Sequence, residues 1–491
     1  MLHRLRAAPR RTPRRATALA ATFALLAGVT GCGGGGGTST PGPGTKTAAT
    51  APDLGFAITP SAYGDPYSGA LDAAAQAPAL AQVLARGIAT ADKKPGDLAS
   101  PASDLAAQLT ALLATHVYAT GAAVSTMYAT EQNSPQAESA RAAVERNSRT
   151  LIQLVESLEG EALGKGGSGR KGTSRGLPGP DTPPPTSPPA NPADKGKGKD
   201  GETPSPAPTF TEPPFHLDDY DFGKSWREHV DLLTQYALAA RGENTADEKT
   251  ARRELDTWAL QAGQYFREIT HGRISSSAVR ADLGDYLDAI TGAIEGIAGK
   301  DGESFVALRE GADQMPEVTQ RLAAGLAAAT DRKGSVYDKA AELRNQLTAT
   351  MTGHSYLAVM SFQLAFAQPG KAGLVSAQYR RVQVSLDDNS KQIAAQVREL
   401  GGPIKEAEFL QGWRIHLRDL ENYARSLQAG DLTGRRTATD ALNTYLGTVT
   451  KFLGNLTKGA IDPANADKRL RAQLAAMIGV VDALLKAFPS G

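Results

Sequence analysis

Ser225-Trp226-Arg227-Glu228-His229-Val230 is the stretch that decides the fold, because a related motif, Trp413-Arg414-Ile415-His416-Leu417, occurs later in the chain. The step in numbering from Trp226 to Trp413 is called the first offset. Further pairs of identical residues keep it: Tyr236 and Tyr423, Leu255 and Leu442, Gly272 and Gly459, Ile274 and Ile461, Leu283 and Leu470. Self-similarity at a fixed spacing is typical of a structural unit that occurs twice. The sequence therefore predicts two related units within its 491 residues.

An earlier part of the chain repeats at a larger spacing. The segment Gln108-Leu109-Thr110-Ala111, followed by His116 and Tyr118, matches Gln346-Leu347-Thr348-Ala349, followed by His354 and Tyr356. The step from His116 to His354 is called the second offset. It exceeds the first by the length of a segment rich in Gly, Pro, Lys, Ser and Thr at 164–214. Such a composition buries too little apolar surface to fold, so we interpret 164–214 as a disordered linker inserted into the first unit.

Apolar residues recur at steps of three and four, as they do on one face of a helix. The segment 103–129 illustrates the pattern with Leu105, Leu109, Leu112, Leu113, His116, Thr120, Val124 and Met127. No segment alternates with period two over a convincing length, so the predicted class is all-α. We expect two tandem antiparallel bundles of four to five helices each, the first at 66–330 and the second at 331–491.

The predicted helices of the first bundle lie at about 66–93, 103–129, 134–160, 225–241, 247–270 and 276–298, with a connecting helix at 302–329. Those of the second lie at about 337–366, 371–400, 403–428, 433–457 and 463–487. Gly272 and Gly459 each follow a helix and precede an apolar residue, which is typical of a helix C-terminus. Ser225 and Glu228 have the spacing of a capping box, so we expect the helix to begin at Ser225.

The N-terminus has the features of a lipoprotein export signal. Six arginines precede residue 16, and an apolar run too short to span a bilayer extends to about Val29. Val29-Thr30-Gly31-Cys32 resembles a bacterial lipobox, and Cys32 is the only cysteine of the chain. We therefore expect a lipoprotein signal peptide at 1–31, lipidation of Cys32, and a disordered tether at 32–65. The mature protein would be anchored to the extracytoplasmic face of the cell membrane.

Composition and motifs exclude several classes of function. The net charge is +1, so the chain lacks the basic excess that nucleic-acid binding requires. No phosphate-binding loop, dinucleotide-binding glycine motif, His-Glu-x-x-His or Gly-x-Ser-x-Gly motif is present in the sequence. We therefore expect no enzyme and no resident cofactor.

Four histidines fall at equivalent positions of the two units and on the apolar helix faces: His116, His229, His354 and His416. Two imidazoles from different helices could hold a metal ion or a haem, could hydrogen-bond within the core, or could form a proton-linked switch. Trp226 and Trp413 could stack on a ligand or pack in the core. The sequence alone leaves these alternatives open.

The stretch around Trp226 and His229 resembles a motif of extracytoplasmic helical proteins of Gram-positive bacteria, which carry a Trp-x-Glu-His-Val helix. The resemblance extends over about 226–366 and includes His354, whereas Tyr286 stands where that group has a second histidine. The use of Ala, Gly and Arg resembles that of actinobacterial secreted proteins. The resemblance implies a helical fold and an extracytoplasmic location.

The leading functional hypothesis is a membrane-anchored extracytoplasmic lipoprotein that acts as a binding module at the cell envelope. Its partner would be another envelope protein or a small ligand held between helices, in addition to the membrane itself. The alternative is a metal- or haem-binding envelope protein that uses the four repeated histidines.

Overall fold

Helices form most of the described chain. The computed structural model describes residues 56–164, 215–299, 303–367 and 370–488, and within these ranges it contains helices and short 3-10 turns but no strand. The predicted all-α class is confirmed. The signal peptide at 1–31, Cys32, residues 32–55 of the predicted tether and the linker beyond residue 164 lie outside the described residues. The end of the predicted tether, 56–65, is not disordered, because Ile58 is buried in the core and the Ser61 N–H donates to the carbonyl of Ala475 at 2.9 Å.

The helices, in chain order, are α1 (Pro66–Ala75), α2 (Ala77–Ala91), α3 (Pro101–Ala129), α4 (Pro135–Ala162), α5 (Phe222–Arg241), α6 (Thr245–Ile269), α7 (Ser276–Gly299), α8 (Glu303–Ala329), α9 (Lys339–Phe366), α10 (Ala377–Gln428), α11 (Leu432–Leu456) and α12 (Pro463–Ala487). Two 3-10 turns lie at Leu217–Asp219 and Gly370–Val375.

Local capping chemistry sets most helix ends. Ser100 and Ser134 each accept a backbone N–H of the first helical turn, at 3.3 and 3.2 Å, directly before the prolines that begin α3 and α4. At the other end, Gly272 and Gly459 have φ values of 75° and 87°. This left-handed conformation favours glycine, so the two predicted helix stops are confirmed.

Three local predictions differ from the structure. The segment 66–93 forms two helices rather than one, and Pro78 lies in the first turn of the second. The helix predicted at 371–400 begins at Ala377, after a 3-10 turn, whereas the predicted break before 403–428 is present, because Gly402 has non-helical φ and ψ values of 73° and −176°. The capping-box interpretation of Ser225 is wrong, because α5 begins one turn earlier.

Asp221 is the residue that caps α5. Its carboxylate accepts the backbone N–H of Lys224 at 2.7 Å, and Ser225 is buried inside the helix. Glu228 instead forms an exposed ion pair with Lys224 at 3.7 Å. The sequence Asp-Phe-Gly-Lys-Ser contains two good capping residues, and Asp221 allows Phe222 to join the apolar face.

Helices α3 and α9 lie together at the centre of the molecule. The rings of Tyr118 on α3 and Tyr356 on α9 stack across this contact, with centroids 5.8 Å apart and an interplanar angle of 8°. Both tyrosines are buried in the hydrophobic core. Because these two residues are related by the second offset, equivalent positions of the two segments meet at this point.

Helices α1 and α2 precede α3 in the chain, but α2 packs mainly against α9 and α1 against α12. Conversely, α8 precedes α9 but packs mainly against α3 and α7. Two glycines permit matched close contacts: a Cβ on Gly325 would lie 2.1 Å from Ile274 Cγ1, and one on Gly87 would lie 1.9 Å from Ile461 Cγ1. The N-terminal helices therefore pack on helices from the C-terminal part of the chain.

Most large apolar side chains of the described helices are buried by this packing. Within the part of the chain that the structure describes, no helix combines the length and the hydropathy needed to cross a bilayer.

Candidate functional site

His116, His229 and Tyr286 form a buried cluster between α3, α5 and α7. The Tyr286 hydroxyl lies 3.1 Å from His116 Nε2 and 3.2 Å from His229 Nε2. His229 Nδ1 lies 2.7 Å from the carbonyl oxygen of Trp226, one turn earlier in α5. One tyrosine hydroxyl thus bridges two imidazoles that come from different helices.

The hydrogen bonds of this cluster fix the positions of its protons. A carbonyl can only accept, so His229 Nδ1–H donates to Trp226 and His229 Nε2 carries a lone pair. Tyr286 therefore donates its O–H to His229 and accepts the Nε2–H of His116. His116 Nδ1 is left as an acceptor, and no described residue donates to it.

His354 and His416 form a second buried cluster, between α9 and α10, with a different centre. Their Nε2 atoms lie 3.2 Å from each other, so one imidazole N–H donates directly to the other ring. Gln473 is the counterpart of Tyr286 at the first offset, and its Nε2 donates to Ser355 Oγ at 2.9 Å. The side chain in this position therefore does not bridge the two histidines.

The aromatic walls of the two clusters are alike. Trp226 and Trp413 each meet the α3 or α9 histidine at an angle of 61°, with ring centroids 5.0 Å apart. The other histidine stacks on a second ring, His229 on Trp258 at 4.3 Å and His416 on Tyr445 at 4.9 Å. Trp226 and Trp413 are buried against these histidines as part of the core.

Burial controls the protonation of all four histidines. It lowers the pKa of His229 and of His354 to about 4, against small opposing contributions from hydrogen bonds. It also lowers the pKa of His116 and His416 well below the usual range, and the neighbouring histidine of each cluster adds to this effect. At neutral pH each cluster therefore holds two uncharged imidazoles.

The donor set of each cluster is limited to these two imidazoles. No group of three or more His, Cys, Asp or Glu side chains that could hold a metal ion exists among the residues described. Structural zinc sites use four protein ligands and catalytic ones three. An ion bound by either pair would rely on two nitrogen ligands.

A cavity of about 480 Å³ opens between α1, α3 and α4, and no sequence pattern predicted it. Apolar side chains form most of its wall, and Asp72, Asn147 and Arg146 add polar groups. Its lining consists of Leu71, Asp72, Ala74, Ala75, Pro78, Gln108, Ala111, Leu112, Thr115, Arg146, Asn147, Thr150 and Leu154. Apolar walls with a few polar groups are typical of small-molecule sites.

The corresponding junction between α8, α9 and α10 is closed by the chain itself. Arg309 Nη1 donates to the Asp313 carboxylate at 2.9 Å, and Gln392 Nε2 donates to Asp313 Oδ2 at 2.7 Å from the facing helix. Arg309 and Asp313 are the counterparts of Leu71 and Ala75 at the second offset. Gln392 is the counterpart of Thr150 when Asn389 is aligned with Asn147. The cavity is thus lined at these three positions by the shorter or apolar side chains of Leu71, Ala75 and Thr150.

The two junctions share one framework contact. Asn147 Nδ2 donates to the carbonyl of Leu112 at 3.0 Å, and Asn389 Nδ2 donates to that of Thr350 at 2.9 Å. The repeated Asn-Ser pair at 147 and 389 was visible in the sequence, but its role in joining two helices was not. Comparison of Leu71 with Arg309 and of Ala75 with Asp313 is the signal that could have indicated the cavity.

Comparisons of the chain with models of protein families, with curated proteins and with solved structures find no match.

Proposed function

We propose that this protein is a membrane-anchored extracytoplasmic lipoprotein that binds a small molecule in the cavity between α1, α3 and α4. The single observation that carries the binding role is the open junction, whose counterpart is filled by Arg309, Asp313 and Gln392. The volume of about 480 Å³ is within the usual range for ligand sites.

The anchor in this proposal is Cys32. Its sequence context supports lipidation, and Ile58 is already buried in the core, so the chain from 33 to 55 would separate the lipid from the folded part. A flexible segment of that length has a root-mean-square reach of roughly 25 Å. Because α1 forms one wall of the cavity, the ligand site would lie close to the membrane surface.

We further propose that the architecture is a duplication of one helical unit. The matched histidine clusters, the stacked Tyr118 and Tyr356 rings, and the paired contacts of Gly87 and Gly325 support this interpretation. In this arrangement α8 completes the bundle of α3–α7, and the α1–α2 pair completes the bundle of α9–α12.

The binding role is tested by closing the cavity with the residues of its counterpart. The variant Ala75→Asp with Thr150→Gln introduces the carboxylate–amide contact that Asp313 and Gln392 make. Native mass spectrometry of the protein isolated from its own envelope is expected to detect a bound small molecule in the wild type and at least a tenfold lower occupancy in the variant. Equal occupancy in two equally folded proteins would contradict the proposal.

The anchor is tested by Cys32→Ser. Without the thiol no lipid can be attached, so we expect the protein to move from the membrane fraction to the soluble extracytoplasmic fraction. Metabolic labelling with a palmitate analogue provides the second readout, with label expected on the wild type alone. An unchanged membrane fraction, together with an unlabelled wild type, would contradict lipid anchoring.

The alternative function is metal binding at the second histidine cluster, and one observation favours it there. The Nε2 atoms of His354 and His416 face each other at 3.2 Å, whereas Tyr286 stands between the imidazoles of the first cluster. A single ion fits this alternative better than a haem, because a macrocycle would have to enter between two atoms already in contact. Metal analysis of the purified chain and of His416→Gln would show one ion lost per chain.

A further inference from the structure

We propose that one face of α7, formed by Gly284, Asp288, Gly292 and Glu295, is a docking site for a non-helical polypeptide segment of a partner protein that carries a Lys or Arg side chain. These four residues, called the α7 face, recur at steps of four and three, so they share one side of the helix. The inference goes beyond small-molecule binding, because it concerns a different surface and a macromolecular partner. It follows from what covers the equivalent face of α12.

The chain's own N-terminal segment covers that equivalent face. At the first offset the α7 face corresponds to four residues of α12: Arg471, Ala475, Gly479 and Asp482. The segment 56–63, which contains no helix or strand, lies against them. Its Ser61 N–H donates to the Ala475 carbonyl at 2.9 Å, and its Ile58 is buried in the core. Equivalent residues of the second unit thus already hold a polypeptide segment.

Gly479 shows how closely this segment approaches the helix. A Cβ on Gly479 would lie 2.1 Å from the Ser61 carbonyl oxygen, so only glycine leaves room for the passing backbone. Gly292 is the identical residue of α7, and apart from the helix itself no atom of the described chain lies within 4 Å of the same position. Gly479 is buried, whereas Gly292 is exposed. The first unit therefore has the space for a backbone but, within the described ranges, no backbone that fills it.

Phe56 anchors the start of the covering segment on α12. Its ring meets that of Tyr423 with centroids 6.2 Å apart, and the Arg435 guanidinium lies 4.9 Å from its centroid, within cation–π range. Arg435 also donates to the Tyr423 hydroxyl at 2.7 Å, and this hydroxyl donates to the Asp482 carboxylate at 2.8 Å. The anchor thus combines an aromatic side chain of the segment with a guanidinium of the helical unit.

The first unit keeps the tyrosine and the carboxylate of this arrangement but not the guanidinium. Tyr236 donates its hydroxyl to Glu295, and Glu248 is the counterpart of Arg435 at the first offset. Burial raises the pKa of Tyr236, and the nearby carboxylates of Glu295 and Glu248 raise it further. A Lys or Arg of a docked segment at the place of Phe56 would therefore supply the positive charge that Arg435 supplies beside α12.

The wider charge pattern favours the same partner. At equivalent positions around the two faces, the second unit balances its charges with Asp467, Asp482, Arg435 and Arg471. The first unit has a carboxylate excess, with Glu248, Asp256, Asp288, Glu295, Arg252 and Arg280. Arg252 is already paired with Asp288 at 2.6 Å and with Asp256 at 3.1 Å. A basic segment is thus complementary to the α7 face, whereas an acidic one is repelled.

The test is isothermal titration calorimetry of the full chain with three synthetic peptides of residues 56–63: the natural sequence, Phe56→Arg and Phe56→Glu. This segment is the probe because its backbone fits the equivalent face. The Phe56→Arg peptide is expected to bind about tenfold more tightly than the Phe56→Glu peptide or better, because its guanidinium meets Glu248 and Glu295. In the protein variant Gly292→Tyr, which fills the space for the backbone, binding should be lost.

Two further variants complete the design, with circular dichroism to confirm equal folding of all proteins. Gly447→Tyr is the matched control, since it places the same side chain at an exposed and open position in the middle of α11, and it should leave binding unchanged. Glu248→Arg gives the first unit the cation that the second unit carries. It is expected to reverse the preference, so that the natural peptide binds more tightly than Phe56→Arg.

Several results would overturn the proposal. Absence of binding by all three peptides would remove the docking site, and binding that survives Gly292→Tyr would place it elsewhere. Equal affinities of the Phe56→Arg and Phe56→Glu peptides would remove the basic partner. A wild-type chain that is a dimer in analytical ultracentrifugation, and a monomer as Gly292→Tyr, would show that a second copy covers the α7 face instead.

Discussion

The His116–His229 cluster and the His354–His416 cluster have the same walls and different centres. In both, a tryptophan meets one imidazole at 61° and a second ring stacks on the other. Tyr286 bridges the first pair, whereas the second pair is in direct contact at 3.2 Å. Apolar and aromatic residues therefore build the same framework in both clusters, and single polar residues make the two centres different.

The two helix junctions follow the same rule. Asn147 and Asn389 make matched contacts to the neighbouring helix, so the framework is shared. Arg309, Asp313 and Gln392 fill one junction, and the smaller or apolar residues at the equivalent positions leave the other open. The two related regions therefore share a framework and differ in the side chains that occupy this junction.

The largest expected effect is a decrease in the free energy of unfolding at acidic pH, because histidines of both clusters become protonated there. The pKa of His229 and of His354 is about 4 in the folded protein and about 6.5 in the unfolded chain, so the unfolded state binds more protons between these values. Stability is fully present above pH 6.5 and is lost as the pH falls toward 4, by about 3 kcal/mol for each of these histidines.

Urea unfolding at pH 7 and at pH 4.5 measures this loss. The variant His229→Gln provides the control, because it lacks one of the titrating groups and should show a smaller difference between the two pH values. The same difference in the variant and in the wild type would show that His229 does not titrate in the folded protein as its burial requires.

His229→Ala is expected to give the next largest effect. The imidazole is fully buried, and its removal leaves a cavity and deprives the Tyr286 hydroxyl of its acceptor. We expect a loss of about 3–4 kcal/mol in the free energy of unfolding at pH 7. His216→Ala removes an exposed imidazole and should cost less than about 0.5 kcal/mol. A similar small cost at His229 would contradict its placement in the core.

Tyr286→Phe and Tyr445→Phe sharpen the comparison of the two centres. The Tyr286 hydroxyl makes two hydrogen bonds to imidazoles, so its removal should cost about 1–2 kcal/mol. The Tyr445 hydroxyl is buried and has no hydrogen-bond partner in the described ranges, so its removal should be neutral or slightly stabilising. Thermal unfolding of both variants measures the change in the free energy of unfolding. Equal changes would show that the two hydroxyls have equivalent surroundings.

The smallest effects concern the start of α5. Glu228→Ala removes only an exposed ion pair with Lys224 and should change stability by less than about 0.5 kcal/mol. Asp221→Ala removes the capping carboxylate and should cost about 1 kcal/mol. Urea unfolding of the two variants measures both costs, and the reverse order would restore the capping box that the sequence suggested.

The sequence predicted the helices well because their boundaries depend on local chemistry. Gly272 and Gly459, with their positive φ values, end helices as expected, and the prolines at 101 and 135 begin them. It did not predict which amphipathic faces meet, because an apolar stripe carries no information about its partner. The packing of α1 on α12 and of α2 on α9 is such a case.

The candidate sites were likewise predictable from the sequence only in part. Equivalent histidines on apolar faces could be placed in the core from periodicity alone, and their pairing follows once α3 and α5 pack together. The bridge by Tyr286 and the cavity beside Asp72 depend on side-chain length at a junction of three helices. The spacing of residues along a single helix does not determine how three helices meet.

A crystal structure of the full chain isolated from its own envelope would compare the open and closed junctions in one molecule. We expect a bound small molecule between α1, α3 and α4, and none beside Arg309 and Asp313. A ligand bound elsewhere, or an α1–α3–α4 junction filled by the chain's own side chains, would contradict it.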